Sequence, residues 1–141
     1  STTAMPVQKN QIVVITQLLT LTGVTAAEVC TDASKAIIKK SIVEVLNIDG
    51  SFVDISKCED KSRRNRRLLS NGVELEYKVS LPKTEASPSK QTAVVDAMSA
   101  LAGNGAAATT VLTAVSEAAG KDINAVTMEA APASVKIEEA R

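Results

Sequence analysis

Histidine and tryptophan are absent from this 141-residue chain, and Phe52 and Tyr77 are its only phenylalanine and tyrosine. Without an imidazole, the chain lacks the side chain that most often carries acid–base chemistry near neutral pH, completes a catalytic triad or binds a metal. Its 16 basic and 16 acidic residues cancel, so it also lacks the overall positive charge that drives nucleic-acid binding. We therefore expect no enzymatic activity, no cofactor and no small-molecule substrate.

Long apolar runs are also missing. The most apolar stretch, residues 11–24, is interrupted by three threonines and by Gln17, and it falls short of the roughly 20 apolar residues that a membrane-spanning helix needs. We therefore expect no membrane span. What the chain does have is 45% hydrophobic residues, 21 of them alanine, which predicts one domain with a thin aliphatic core.

Hydrophobic periodicity predicts four strands and two helical regions. Two-residue alternation marks strands over residues 11–21, 51–57 and 73–81, and a last strand over 123–128 that Pro132 interrupts and residues 135–137 extend. Helical spacing marks residues 32–46 and 91–102, and a helix resumes over 106–119 after a glycine-rich break. Thr25 and Glu28 have capping-box spacing, which predicts one more helical turn. In the first strand, Gln17 is the one polar residue on an otherwise apolar face.

The predicted order of elements is strand, helix, strand, strand, helix, strand. This βαββαβ order is typical of a ferredoxin-like sandwich, an α+β fold in which a four-stranded antiparallel sheet carries two helices on one face. The domain would span residues 11–137. A flexible N-terminal arm, residues 1–10, would precede it, and a charged tail, residues 138–141, would follow it.

The chain has two cysteines, Cys30 and Cys58, without the close spacing or the histidines of a zinc site. In the predicted topology the first two strands run parallel, so the start of the first helix and the end of the second strand lie at the same end of the domain. Cys30 and Cys58 occupy those two places, and we predict a disulfide between them. The alternative is a pair of small buried thiols.

The most unusual segment is residues 57–67, in which six basic residues stand against two acidic ones. The predicted fold places it on the hairpin between the second and third strands. It could contact an anion or nucleic acid, be cut by a convertase at the Arg-x-Arg-Arg string ending at Arg67, or contact a protein; the alternative is a solvated hairpin. For a protein contact, Glu138 and Glu139 of another copy could be the acidic partner. The candidate residues of this interaction hairpin are Arg63, Arg64, Arg66, Arg67, Leu68 and Leu69.

Nucleic-acid binding through the sheet is disfavoured by the residues of the third strand. Ferredoxin-like sheets that bind RNA stack bases on aromatic side chains of the open face of the central strands. The corresponding positions here hold Glu74, Glu76 and Lys78. Because carboxylates at these positions would repel phosphate, we do not expect RNA binding there.

The run Arg66-Arg67-Leu68-Leu69, followed by a short turn and the alternating strand from Val73, resembles SEA-like ferredoxin-fold modules. Such modules recur in large surface and secreted proteins of algae and other protists, and the Leu-Thr-Gly-Val-Thr string at residues 21–25 fits the same resemblance. The resemblance implies an extracellular or lumenal structural role. SEA domains that cleave themselves do so at a Gly-Ser in this hairpin, whereas this chain has Ser-Asn-Gly-Val at residues 70–73, so self-cleavage is not implied.

These observations predict a non-catalytic structural or protein-interaction module. It would be secreted and would serve as a subunit of a larger extracellular assembly, such as a surface filament or matrix, with copies of itself or other proteins of the assembly as partners. One alternative is a small accessory subunit docked on the lumenal side of a membrane protein complex, in an organelle lumen. Another is an anion-binding or nucleic-acid-binding protein that uses the arginine-rich hairpin.

Overall fold

A computed structural model describes residues 11–60, 72–82, 86–103 and 105–139 of the chain. These residues form an α+β domain in which a five-stranded antiparallel sheet packs against helices. The strands are β1 (Gln11–Thr22), β2 (Val53–Asp60), β3 (Gly72–Pro82), β4 (Thr127–Ala130) and β5 (Ser134–Glu139). The helices are α1 (Ala26–Val29), α2 (Asp32–Leu46), α3 (Pro88–Ala100) and α4 (Ala106–Ala119). Within this described part of the chain, no helix has the length and apolar character needed to cross a membrane.

Strand β1 lies at the centre of the sheet. It pairs along its length with β3, and β3 pairs in turn with β2, which gives the order β2-β3-β1-β4. Because β3 occupies one side of β1, both β4 and β5 pair with the other side. The two-residue alternation of the sequence accounts for this arrangement, since both central strands bury one complete face.

One hydrophobic core joins that face of the sheet to the helices. The core-facing residues of β1 and β3 are fully buried, and Tyr77 is the largest of them. Ile38 and Ile42 of α2, Met98 of α3 and Val111 of α4 belong to the same cluster. The helices therefore cover one face of the sheet, and their apolar spacing in the sequence gives most of the inward side. Ile37, which belongs to the same apolar spacing in α2, is 39% exposed.

The structure has five strands, whereas four were predicted. The predicted last strand over residues 123–128 is a 3₁₀ turn, Ile123–Ala125, followed by β4, and the predicted extension is the separate strand β5. Between the pairs Leu19–Ala130 and Thr16–Ser134, two residues of β1 face three residues that include Pro132. Proline has no N–H for the ladder and is tolerated at an edge or a bulge, so the edge strand is divided there.

The helical regions agree with the sequence in order and differ in detail. The turn predicted at Thr25 is α1, and the glycine-rich break separates α3 from α4. Gly120 ends α4 in the left-handed conformation, as its C-cap position predicts. The N-terminal arm predicted over residues 1–10 lies outside the described residues, and β5 continues through Glu139 into the predicted charged tail.

Candidate functional site

The end of the sheet from which the basic hairpin leaves is the candidate site. The ladder is intact there, with Asp60 opposite Val73 and Thr22 opposite both Gly72 and Thr127. Residues 61–71 join β2 to β3 and lie outside the described residues, and with them lies the whole predicted interaction hairpin. Their sequence contains one lysine, four arginines and no acidic residue, a net charge of +5. This end of the sheet therefore holds both attachment points of the most basic segment of the chain.

A disulfide between Cys30 and Cys58 braces this end, as predicted. Its Cα atoms are 5.6 Å apart, and it closes a loop with a sequence separation of 28. The bond depends on a bulge in β2, where Ile55 faces Tyr77 but Lys57 faces Glu76. The extra residue, Ser56, shifts the alternation by one and turns Cys58 to the helix-covered face beside Leu75. Without that shift Cys58 would point away from the helices, because neighbouring residues of a strand face opposite sides.

Hydrogen bonds fasten α1 to the same end. The backbone N–H of Ala26 donates to Asp60 Oδ1 at 2.8 Å, which ties the first turn of α1 to the last residue of β2. The backbone N–H of Thr25 donates to Glu28 Oε1 at 2.9 Å, the contact that the capping-box spacing predicts. Asp60 is therefore held both by the strand ladder and by the helix.

Lys121, the residue after the Gly120 cap, joins α4 to this end. Its Nζ donates to the carbonyl of Gly23 at 3.0 Å and lies 3.3 Å from Glu28 Oε2. The hydrogen bond from the Thr25 N–H, with the help of Lys121, lowers the pKa of the Glu28 carboxyl below its ordinary value. The lowered pKa favours the charged form of the Glu28 carboxyl, which is the form that contacts Lys121.

Gly23 permits the tight contact at the end of β1. Its φ is +96°, and a Cβ atom there would collide with the carbonyl oxygen of Ala125. A residue with a side chain would have to adopt an unfavourable backbone and push the 3₁₀ turn away. The close approach of β1 to this turn therefore requires glycine.

The other face of the sheet, which the described helices do not cover, carries most of the charge near this end. Lys57 Nζ lies 3.4 Å from a Glu59 carboxylate oxygen and 3.3 Å from one of Glu74. The hydrogen bond to Glu74, followed by that to Glu59, raises the pKa of Lys57. Glu76 is close to this group and accepts a hydrogen bond from Ser56 at 3.3 Å. The ammonium group of Lys57 therefore lies among the three carboxylates of Glu59, Glu74 and Glu76, so this part of the surface is negatively charged.

A groove between α2 and α4 is a concave feature of the described residues. It has a volume of about 510 Å³ and is open to solvent. Two of its three threonine hydroxyls donate within α4, because Thr113 donates to the Thr109 carbonyl at 2.7 Å and Thr110 to that of Ala106 at 2.9 Å. Ile37, at 39% exposure, is its main exposed apolar residue. The groove is also lined by the charged residues Lys40, Glu44 and Glu117.

The described residues contain no group of three or more cysteine and carboxylate side chains placed to hold a metal ion. Both cysteines are consumed by the disulfide, so neither is a free thiol. The sequence indicated the disulfide and the capping box but gave no sign of Asp60 or Lys121 as part of this end. Both act across long sequence separations, and neither lies in a recognisable motif.

Comparison of the chain with protein-family models, with curated proteins and with solved structures finds no match in any of the three.

Proposed function

We propose that this chain is a non-catalytic structural or protein-interaction module, a SEA-like domain of ferredoxin-like layout that serves as a subunit of an extracellular assembly. The observation that carries the proposal is the braced end of the sheet. A disulfide, the Asp60 hydrogen bond and the Lys121 contacts all hold the place from which a segment of net charge +5 departs. A rigid attachment for a segment of high charge suits recognition of another protein.

The order of elements and strands supports the ferredoxin-like part of the proposal. The sequence order of strands and helical regions, together with the spatial order β2-β3-β1-β4, fits that layout once β4 and β5 are counted as the two halves of one divided edge strand. The likeness of the Arg-Arg-Leu-Leu string and the following strand to SEA-like modules remains the basis for the family part of the proposal.

The disulfide supports the extracellular part. Disulfides persist in oxidising compartments and are rare in reducing ones. The bond between Cys30 and Cys58 connects α1 to β2 across the end of the domain. A secreted location accounts for it, and an organelle lumen with an oxidising environment would account for it equally.

The experiment is a measurement of native mass on untagged protein, by light scattering over a wide concentration range with negative-stain imaging of the same samples. Rods or oligomers well above the 14.7 kDa chain mass support the proposal. A chain that stays monomeric at every concentration contradicts self-assembly and favours a single accessory copy in a larger complex, which cross-linking in its native extract would then detect.

A matched pair of variants tests whether assembly depends on the charges of the basic segment. Replacing Arg63, Arg64, Arg66 and Arg67 by glutamine removes four charges from the segment. Replacing Lys35, Lys39, Lys40 and Lys90 by glutamine removes four charges from the helices instead. Only the first variant should lose assembly. Equal loss in both would indicate an effect of net charge alone.

A further inference from the structure

The face of the sheet that the described helices do not cover, called here the open face, has a composition that matches the basic segment. Its apolar residues from β1 are Ile12, Val14 and Leu18, and none of them belongs to the core cluster beneath the helices. Val14 is only 4% exposed, so Ile12 and Leu18 offer the apolar contact surface. Leu18 is half-buried and lies directly opposite Glu76 of β3. The face therefore combines an aliphatic centre with charged neighbours.

Carboxylates form a row across this face near its braced end. Thr20 is in register with Glu129 on one side and with Glu74 on the other, and Glu74 is in register with Glu59. At about 4.8 Å per strand the row is about 14 Å wide. Like charges directly opposite each other destabilise a sheet, and Lys57 is the one cation that the described residues place beside Glu59 and Glu74.

The basic segment complements this surface in both charge and apolar content. Residues 61–71 carry +5, so the remainder of the chain carries −5. On the open face, five charged residues with a net charge of −3 lie in two adjacent rows of the sheet. They are Glu59, Glu74, Glu76, Glu129 and Lys57. The segment also holds Leu68 and Leu69 beside its arginines, which suit the aliphatic surface around Leu18.

We propose that the open face of one copy binds residues 61–71 of a second copy, and that the contact is reciprocal in a two-fold symmetric dimer. This proposal rests on the proposed role in assembly and names the partner surface. The two attachment points of the segment, Asp60 and Gly72, and the carboxylate row lie at the same end of the domain, so a two-fold axis beyond that end would bring each segment to the other copy's row. Such an interface is self-complementary and closes at two copies.

The proposed role in assembly selects a second copy as the occupant, and the length of the segment is sufficient for this contact. The segment is attached at Asp60, which lies opposite Val73, and at Gly72. Half of an eleven-residue excursion reaches at most about 18 Å, and the row lies two residues, about 7 Å, from the end marked by Gly72.

The test is a charge exchange between two variants. In the face variant, Glu74 and Glu129 become lysine; in the segment variant, Arg63, Arg64, Arg66 and Arg67 become glutamate. Each variant alone places like charges together, and its dimer should weaken by about 100-fold or more. Mixed one to one, both reciprocal contacts pair opposite charges, so a heterodimer should form. Far-UV circular dichroism verifies that each variant is folded.

The control replaces Glu44 and Glu117, which line the α2–α4 groove, by lysine. It changes the net charge as much as the face variant does and should keep the native mass of the wild-type dimer. In a separate measurement, dimerisation of the wild type should weaken as the salt concentration is raised. If the wild type associates and the mixture does not recover, the reciprocal contact is wrong while the proposed function stands. If wild type and mixture are both monomeric at all concentrations, both are wrong. If each single exchange destabilises a monomeric chain in urea unfolding and the chain that carries both exchanges is as stable as the wild type, the segment binds its own face and the contact between copies is wrong.

Discussion

The buried amide of Gln17 offers the sharpest test of how this fold is held together. Gln17 is 1% exposed in the middle of β1. Its Nε2 donates to the carbonyls of Met98 at 2.9 Å and Ala131 at 2.8 Å, and its Oε1 accepts from the hydroxyl of Tyr77 at 2.6 Å. Each hydrogen of the amide thus has an acceptor, and its oxygen has a donor.

The position of this amide follows from the divided edge strand. Ala131 is one of the three residues between β4 and β5, where the regular pairing with β1 is interrupted. Its carbonyl is therefore available to a side-chain donor. Met98 lies near the C-terminal end of α3, where its carbonyl accepts from the N–H of Leu101 at 3.1 Å and has room for a second donor. A side chain that donates twice from β1 serves both carbonyls, and this is why an apolar face contains a glutamine.

Two substitutions separate the parts of this network. Tyr77→Phe leaves Gln17 Oε1 buried without a donor, which costs about 1–3 kcal/mol. Gln17→Met keeps the volume but leaves both the Tyr77 hydroxyl and the Ala131 carbonyl without partners, which costs about 2–5 kcal/mol. The double variant lacks both the hydroxyl and the amide, so only the Ala131 carbonyl is left without its donor. Its cost should fall short of the sum of the two single costs by at least the cost of Tyr77→Phe, about 1–3 kcal/mol.

Urea unfolding of the four proteins measures this coupling, provided that the dependence of unfolding free energy on urea is the same for all four. A domain of this kind is stable by about 5–15 kcal/mol, so each variant should retain a folded baseline. Costs that add to within about 0.3 kcal/mol would refute the reasoning, because independent sites show no coupling. A Tyr77→Phe variant as stable as the wild type would refute it as well.

Three further predictions concern the same core and the braced end. Burial raises the pKa of Tyr77, so the folded state holds the phenol proton more tightly than the unfolded state. Above about pH 10 the wild type should therefore lose stability relative to Tyr77→Phe, by up to about 1.4 kcal/mol per pH unit. Urea unfolding of both proteins at several pH values measures this difference. Replacing Cys30 and Cys58 by alanine should lower the unfolding free energy by about 3–4 kcal/mol for a loop of 28 residues, and an unchanged value in non-reducing urea unfolding would contradict the bracing role. Deleting Ser56 should turn Cys58 to the open face, and a thiol assay of the unreduced protein should then find two free thiols where the wild type has none.

Most of the architecture follows from short-range patterns. The alternation of β3, from Val73 to Leu81, identifies both its extent and its buried face, and the capping spacing of Thr25 and Glu28 identifies α1. These predictions succeed because they depend on residues two to four positions apart. The divided edge strand escapes such reasoning, since Pro132 signals an interruption but not whether the chain rejoins the same neighbour.

The face of the sheet on which Cys58 lies depends on the alternation of side chains along β2. The sequence does not reveal the bulge that shifts this alternation. The topology brings Cys30 and Cys58 to one end of the domain, but an unbroken β2 that buried Val53 and Ile55 would turn Cys58 to the open face. The bulge at Ser56 corrects this, and it also places Lys57 on the open face between two carboxylates. A single inserted residue thus sets both the covalent brace on one side of the sheet and the charge pattern on the other. The disulfide and the acidic face are therefore linked consequences of one local irregularity, and a change at Ser56 would alter both.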